Sequence, residues 1–351
     1  MASALPRTFR KMIVSKLTQN FKEAVTFQTV PMLKPGPGDL LIRNRFVGIN
    51  ASDINFTAGR YDPTARPPFD IGFEGVGEVV DVGSDVQKFE HGQGVAYMSN
   101  GAFAEYVLVP ANIATPVPAT KAEYVPFLVS GRTADISLQE FGKLKAGETV
   151  LVTAAAGGTG QFAVQLAKAA GCHVIGTCST QSKVDFLKSI GCDRPINYTE
   201  EKLADVLKKE YPGGLDVVYE SIGGPTFETC IKSLGFKGRL IVIGYISGYE
   251  SDQGFIASVL NTLPQRLLSK SASVCGFLLF HYANRYSESF KRLISMYEDG
   301  KLKAAIDNGK NNPSGRFVGV ASVVDAVKYM YTKKSEGKIV VELNPEETSK
   351  L

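Results

Sequence analysis

The sequence predicts an α/β chain in which a β-rich part precedes a doubly wound parallel sheet. Three observations predict it. Before Pro126 the apolar segments are short and lie between Gly, Pro and Asp turns. From Glu148 onward, strand-like and helix-like segments alternate, which is the rhythm of a parallel sheet covered by helices. At the start of that alternation, Thr149–Val152 runs through the loop 153–160 into Gln161–Lys168, which reads as strand, glycine turn and helix.

In chain order, Met12–Val14 reads as a first strand. It leaves too few residues ahead of it for a mitochondrial transit peptide, although Arg7, Arg10, Lys11 and Lys16 precede the first acid, Glu23. Leu33–Asp39 is turn chemistry, and Leu40–Val47, Gly75–Val82, Gly94–Tyr97 and Phe103–Val109 are further strands. Beyond Glu148 the predicted strands are Val150–Thr153, Val174–Gly176, Pro195–Tyr198, Leu215–Tyr219, Leu240–Ile243 and Ser273–Leu278. The predicted helices are Gln161–Ala170, Ser182–Ile190, Glu200–Glu210 and Thr226–Leu234. Helices near Ser287–Glu298 and Val323–Lys333 follow, then a closing strand Lys338–Leu343 that returns to the first domain. The expected domains are residues 1–125, 126–285 and a returning segment 286–351.

Composition narrows the function class. The 39 Lys and Arg against 35 Asp and Glu leave a net charge of +4 with no like-charged block, so nothing asks for nucleic acid or a membrane surface. The charge-free window Thr149–Ala167 is broken by glycines, Thr and Gln, so no membrane span is expected. Five Cys without a CxxC pair read as reduced, mostly packed thiols. The chain ends in Ser349-Lys350-Leu351, which reads as an address for the peroxisomal import receptor; a chance tripeptide and a shared cytosolic pool are the alternatives.

The loop 153–160 has the spacing of G-x-G-x-x-G with Ala155 in the first glycine's place. Gly157 and Gly158 allow close approach of backbone to a ligand, Thr159 and the exposed N–H groups suit a pyrophosphate, and Gly160 lets the helix pack on the sheet. The next strand ends in Ser179-Thr180-Gln181-Ser182-Lys183, where an NAD site would carry Asp or Glu for the ribose 2′-hydroxyl. Small hydroxyls and a Lys suit a 2′-phosphate, so NADPH is expected over NADH. The competing reading makes Lys183 a solvated helix-start residue.

Gly72–Val79, Gly101–Tyr106, the glycine loop, Glu220–Gly224 and Gly238–Gly244 together resemble the medium-chain dehydrogenase/reductase superfamily over essentially the whole chain. The resemblance implies a GroES-like catalytic domain joined to a Rossmann domain, and a homodimer. Residues 192–198 and 244–249, with the terminal Ser-Lys-Leu, resemble a zinc-independent branch that reduces the 13,14 double bond of 15-oxo-prostaglandins with NADPH. The zinc enzymes of the superfamily carry Cys, His and Cys where Asn50, Phe73 and the neighbourhood of Val129 fall here. Those three cannot form a tetrahedral zinc set, so no metal is expected.

Without a Lewis acid, reduction of an activated alkene is favoured over alcohol chemistry. Hydride addition to the β-carbon of an enone makes an enolate, and the enzyme must orient the partners and stabilise that oxyanion. The resemblance implies Tyr249 as oxyanion donor, directly or through a cofactor ribose hydroxyl, against an alternative in which it only packs the cofactor. It further implies Ser179, Lys183 and Tyr198 at the 2′-phosphate and adenine, and Ser221 and Ile243 beneath the dinucleotide. Phe277, Leu278 and Leu279 fall along the nicotinamide, Asn50 against nicotinamide or substrate, and Ser335 near the pyrophosphate. Where relatives show Thr-Ala-Tyr this chain has Arg132-Thr133-Ala134-Asp135, and the two charges are expected to pair or to change substrate access. His281 reads as a surface imidazole, against an alternative in which it lines a pocket. A quinone oxidoreductase and a non-catalytic nucleotide-binding protein stay open as other functions.

Overall fold

A computed structural model describes residues 5–251 and 261–345. The chain forms two compact units, one of residues 1–129 and 306–351 and one of residues 130–305. Residues 286–305 therefore group with the second unit, not with the returning segment expected from Tyr286 onward, and the first boundary falls at 129/130 where 125/126 was expected.

The first unit begins with β1 (Thr8–Val14), a short helix α1 (Phe21–Ala24), β2 (Val25–Pro31) and β3 (Asp39–Gly48). Next come α2 (Asp53–Thr57), β4 (Phe69–Asp70), β5 (Glu74–Val82), β6 (Gly94–Met98), β7 (Tyr106–Pro110) and β8 (Ala114–Pro116). The strand expected over Phe103–Val109 thus starts three residues late. Phe103 and Ala104 are used instead by β1, where Met12 N–H donates to the Phe103 carbonyl and Lys11 bridges Ala104.

The second unit opens with α3 (Val129–Ser137), which hydrophobic periodicity does not reveal because Ser130, Arg132, Thr133, Asp135 and Ser137 are all buried in it. Then come β9 (Thr149–Val152), α4 (Gly160–Ala169), β10 (His173–Cys178), α5 (Gln181–Ser189), β11 (Arg194–Asn197), α6 (Leu203–Glu210) and β12 (Leu215–Glu220). α7 (Gly224–Lys232), β13 (Leu234–Val242), α8 (Leu263–Lys270), β14 (Ser273–Gly276) and α9 (Tyr286–Glu298) complete it. α6 starts at Leu203 because the Asn197 side chain accepts from both the N–H and the hydroxyl of Thr199, which holds the chain in a turn first.

The chain then re-enters the first unit as β15 (Ile306–Asp307), α10 (Val323–Tyr331) and β16 (Lys338–Glu342). β16 pairs antiparallel with β3, Val340 opposite Gly48, so the last strand completes the sheet that the first strands began. That seven-stranded sheet runs β15-β16-β3-β5-β6-β8 with β7 also on β3, and a small sheet β2-β1-β4 lies apart from it.

The six strands of the second unit run β11-β10-β9-β12-β13-β14, all parallel. Leu151, Ile175, Ile196, Val218 and Leu240 from five strands pack with Val206, Leu207, Cys230 and Ile231 from two helices. α9 is held by charged groups. Buried Asp135 on α3 pairs with Arg292 and accepts from Ser289 Oγ at 2.6 Å. Arg132 lies 4.9 Å over the rings of both Tyr286 and Phe290 and donates to the Tyr286 carbonyl. Arg132 and Asp135 thus each grip α9. This is why residues 286–298 belong to the second unit. Gln161 and Gln165 of α4 extend the grip by holding the backbone of Ala305 and Lys303.

Candidate functional site

In the second unit the order of the sheet reverses between β9 and β12, the position where open parallel sheets bind dinucleotides beyond their carboxyl ends. The expected cofactor residues of this unit all lie at or past those ends. Gly157, Gly158, Thr159 and Gly160 follow β9, Ser179 and Lys183 follow β10, and Tyr198 follows β11. Ser221 follows β12, Ile243 follows β13, and Phe277, Leu278 and Leu279 follow β14.

The glycine loop is shaped by close packing. A Cβ on Gly160 would sit 2.7 Å from Ala155 Cα and 2.8 Å from the Ala155 carbonyl oxygen, so α4 presses directly on the loop. Ala155 is tolerated in the first glycine's place because Gly176 lies across from it. A Cβ on Gly176 would come within 2.8 Å of the Ala155 methyl. The residue that takes the left-handed conformation is Ala154, with φ +47°, and its N–H donates to Thr177 Oγ1 at 3.0 Å.

At the end of β10, Lys183 Nζ stands 3.5 Å from Ser179 Oγ, and Thr180 caps α5 by accepting from the Lys183 N–H. Lys183 is buried although it carries an ammonium. Tyr198 is half-exposed, and its N–H donates to the Cys178 carbonyl, which sets the tyrosine beside the same strand end.

At the switch point, Thr153 links the two central strands. Its hydroxyl accepts from the Ser221 N–H at 2.9 Å and lies 3.3 Å from Ser221 Oγ. Beside it Glu220 is fully buried and accepts from the N–H groups of Ile222 and Gly223. Burial pushes its carboxyl up to about 7, against those bonds and the Thr153 hydroxyl. Neither Thr153 nor Glu220 was among the expected site residues. Their positions as the first residue of the loop 153–160 and the first of Glu220–Gly224 were the available signal.

Tyr249 follows a short 3₁₀ turn, Ile246–Gly248, beyond β13. It is buried, meets Tyr245 edge to face at 4.8 Å, and its hydroxyl accepts from the Tyr245 N–H at 3.3 Å. Phe277 stacks on Tyr282 at 4.7 Å, with Phe141 edge-on to both.

Asn50 and Ser335 lie in the first unit. Ser335 sits in the segment between α10 and β16. Asn50 belongs to a buried polar cluster. Its Nδ2 donates to Glu74 Oε1 at 2.9 Å, and its Oδ1 accepts from Lys338 Nζ at 2.7 Å. Lys338 also pairs with Glu74 at 2.6 Å, and the other Glu74 oxygen accepts from the Val129 N–H. Asp53 Oδ2 accepts from the Asn50 N–H, and burial raises this carboxyl to about 8 despite that bond and the nearby Lys338. Lys338 was not among the expected site residues, because only the fold brings β16 to Glu74.

The donor set at these positions does not fit zinc. The side chains are an amide, a phenyl ring at Phe73 and an isopropyl group at Val129. The one carboxylate, Glu74, is already held by an ammonium that would repel a metal cation. The first unit also carries an open cleft lined by Phe56, Phe69, Asp62, Arg66, Asp70 and Asn100, which offers apolar contact together with one guanidinium, two carboxylates and an amide.

Two family models match the chain. Residues 36–119 match the alcohol dehydrogenase GroES-like domain, and residues 158–298 match a family described as zinc-binding dehydrogenase. The chain is 58% identical over 351 residues to prostaglandin reductase-3 of Mus musculus, covering 99% of this chain and 93% of the relative. It is 40% identical over 342 residues to a probable quinone oxidoreductase of Leishmania amazonensis, covering 96% and 99%. Among solved structures, the quinone oxidoreductase of Escherichia coli complexed with NADPH superposes with a TM-score of 0.82 at 25% identity, covering 95% of this chain and 99% of that one. Both domain matches and the identity over nearly the full length lead to one conclusion: the chain belongs to the medium-chain dehydrogenase/reductase superfamily.

Proposed function

We propose that this protein is an NADPH-dependent reductase that saturates the 13,14 double bond of 15-oxo-prostaglandins. The observation that carries the cofactor is the strand end at β10, where a buried Lys183 and Ser179 converge with no acid to claim a ribose 2′-hydroxyl. The substrate class rests on the relative named prostaglandin reductase-3. When bound, NADPH supplies a hydride to the β-carbon, and the substrate's conjugated electrons move onto its carbonyl oxygen. The chain's own residues bind, orient and stabilise. The loop 158–160 would offer N–H groups to the pyrophosphate, Phe277–Leu279 would hold the nicotinamide, and Tyr249 or a ribose hydroxyl it supports would donate to the oxyanion. The α-carbon then takes a proton from solvent, so one NADPH and one proton are consumed per alkene.

A quinone oxidoreductase is the second reading, favoured by the names of the Leishmania and Escherichia coli relatives. NADPH oxidation measured with 15-oxo-prostaglandin E2, with the product analysed for saturation at carbons 13 and 14, separates the two. Turnover with quinones alone moves the assignment to the second. NADPH binding without turnover on either leaves a nucleotide-binding protein.

We also propose peroxisomal import through Ser349-Lys350-Leu351, which lies outside the described residues, and a homodimer. What supports the dimer is the superfamily resemblance together with β14, which ends its sheet with one edge unpaired among the described residues. Light scattering at twice the chain mass is the expected result, and a monomer at micromolar concentration refutes it.

A further inference from the structure

We propose that Glu220 is a positioning residue for the Tyr249 phenol: it fixes the turn 221–224, and the loop that carries Tyr249 is built on that turn. The inference rests on the reading of Tyr249 as oxyanion donor given above, and every link in it lies within the second unit. Glu220 ends β12 and is fully buried. Burying a carboxylate is costly unless donors meet it. An apolar side chain at this strand end would carry no such cost, so the use of the carboxylate lies in the bonds it makes. The donors that meet it are the Ile222 N–H at 2.9 Å, the Gly223 N–H at 3.1 Å and the Thr153 hydroxyl. Two of these three belong to the turn that follows its own strand. Gly223 and Gly224 take φ of +78° and +54° there, and the carboxylate locks that left-handed backbone in place.

The turn in its turn carries the loop after β13. The Ser221 carbonyl accepts from the Ile246 N–H at 3.0 Å, and the Ile222 carbonyl accepts from the Ser247 N–H at 3.1 Å and the Ser247 hydroxyl at 2.6 Å. Ile246 starts the 3₁₀ turn that ends at Gly248, and the Tyr249 N–H closes it on the Ile246 carbonyl at 3.2 Å. The phenol end refers to the same turn. A Cβ on Gly244 would lie 3.1 Å from the Tyr249 hydroxyl and 3.5 Å from the Ser221 carbonyl oxygen. A Cβ on Gly223 would lie 2.9 Å from Cβ of Tyr245, whose N–H donates to the phenol. Backbone and hydroxyl of Tyr249 are thus both placed against residues 221–223, the segment whose N–H groups Glu220 holds. A donor to an oxyanion works because it is already in place when the charge appears, so a residue that fixes its seat acts on the chemical step without touching the substrate.

The test joins steady-state kinetics on 15-oxo-prostaglandin E2 with NMR of the full chain carrying ¹³C-labelled tyrosine, the Tyr249 signal being assigned by its loss in Tyr249→Phe. Glu220→Gln keeps an oxygen where Oε1 already accepts both N–H groups, so its Tyr249 signal should stay in place and its kcat should remain within about threefold of wild type. Glu220→Leu removes the acceptor; its Tyr249 signal should move or broaden, and kcat should fall roughly tenfold. In a Tyr249→Phe background the same Glu220→Leu change should cost less than about twofold, because the two residues act as one unit. Glu220→Leu also orphans two buried N–H groups and can fail to fold. The exposed Ser247→Ala, which cuts the hydroxyl link to Ile222 and leaves the core intact, then decides: its Tyr249 signal should shift at an unchanged Tm. A Tyr249 signal at its wild-type position in folded Glu220→Leu, or in Ser247→Ala where Glu220→Leu does not fold, overturns the proposal, as does an equal loss of kcat from Glu220→Leu with and without the phenol. A signal that moves while Tyr249→Phe keeps wild-type kcat supports the positioning by Glu220 and removes only the reading of Tyr249 as donor.

Discussion

Lys183 is a buried cation whose ammonium reaches the Ser179 hydroxyl at the end of β10. A 2′-phosphate bound at this strand end would add a charge-assisted bond, worth about 1.5–3 kcal/mol. Lys183→Ala is therefore expected to raise the Kd for NADPH by roughly 10- to 100-fold and that for NADH by less than about threefold. Equal loss for both nucleotides would remove the 2′-phosphate assignment. Asp53 offers a second measurement. Its carboxyl is raised from 3.8 to about 8, so the folded chain holds a proton that the unfolded chain releases near pH 4. Stability from this group is complete below pH 4 and is lost as pH rises through about 8. Between pH 6.5 and 9 the Tm of wild type should fall a few degrees more than that of Asp53→Asn. Parallel melting curves would show that Asp53 ionises normally.

At the level of elements, the glycine turn was legible because its constraint is local. A strand, a tight turn and a helix start must follow one another within a dozen residues. The compensation that lets Ala155 replace a glycine was not legible, since it depends on Gly176 of the neighbouring strand. The same packing makes Gly160→Ala a test. The added methyl meets backbone atoms of Ala154 and Ala155, so about 1–3 kcal/mol of destabilisation is expected, together with weakened NADPH binding. Thermal melts with and without NADPH measure both. An unchanged Tm would mean that α4 can slide away from the loop. α3 escaped the sequence reading for the opposite reason. Its buried face is polar, and its contacts to α9 are ion pairs and ring stacking rather than an apolar stripe.

For the whole molecule, the return of the chain was readable as a closing strand after the last helix. Where the return begins was not. Residues 286–305 look like the start of a tail in sequence, yet Asp135, Arg132, Gln161 and Gln165 bind them to the second unit, and the crossing comes only at Ile306. The proposed address at the other end of the sequence is tested in cells. Removing Ser349–Leu351 should disperse the protein from peroxisomes to cytosol, and unchanged import would refute the signal.

The sequence by itself determined the α/β class, the β-rich and doubly wound parts, the position of the glycine loop and the acid-free end of β10. These follow from local patterns: alternation, turn residues, and which side chain stands at a strand end. Only the tertiary structure decided what holds Asn50. Asn50, Glu74 and Lys338 are separated by 24 and 264 positions in the chain, and β16 must pair with β3 before the ammonium can meet the carboxylate. No periodicity records such a contact, because its physical cause is the need of buried charges to find one another once the sheet has closed.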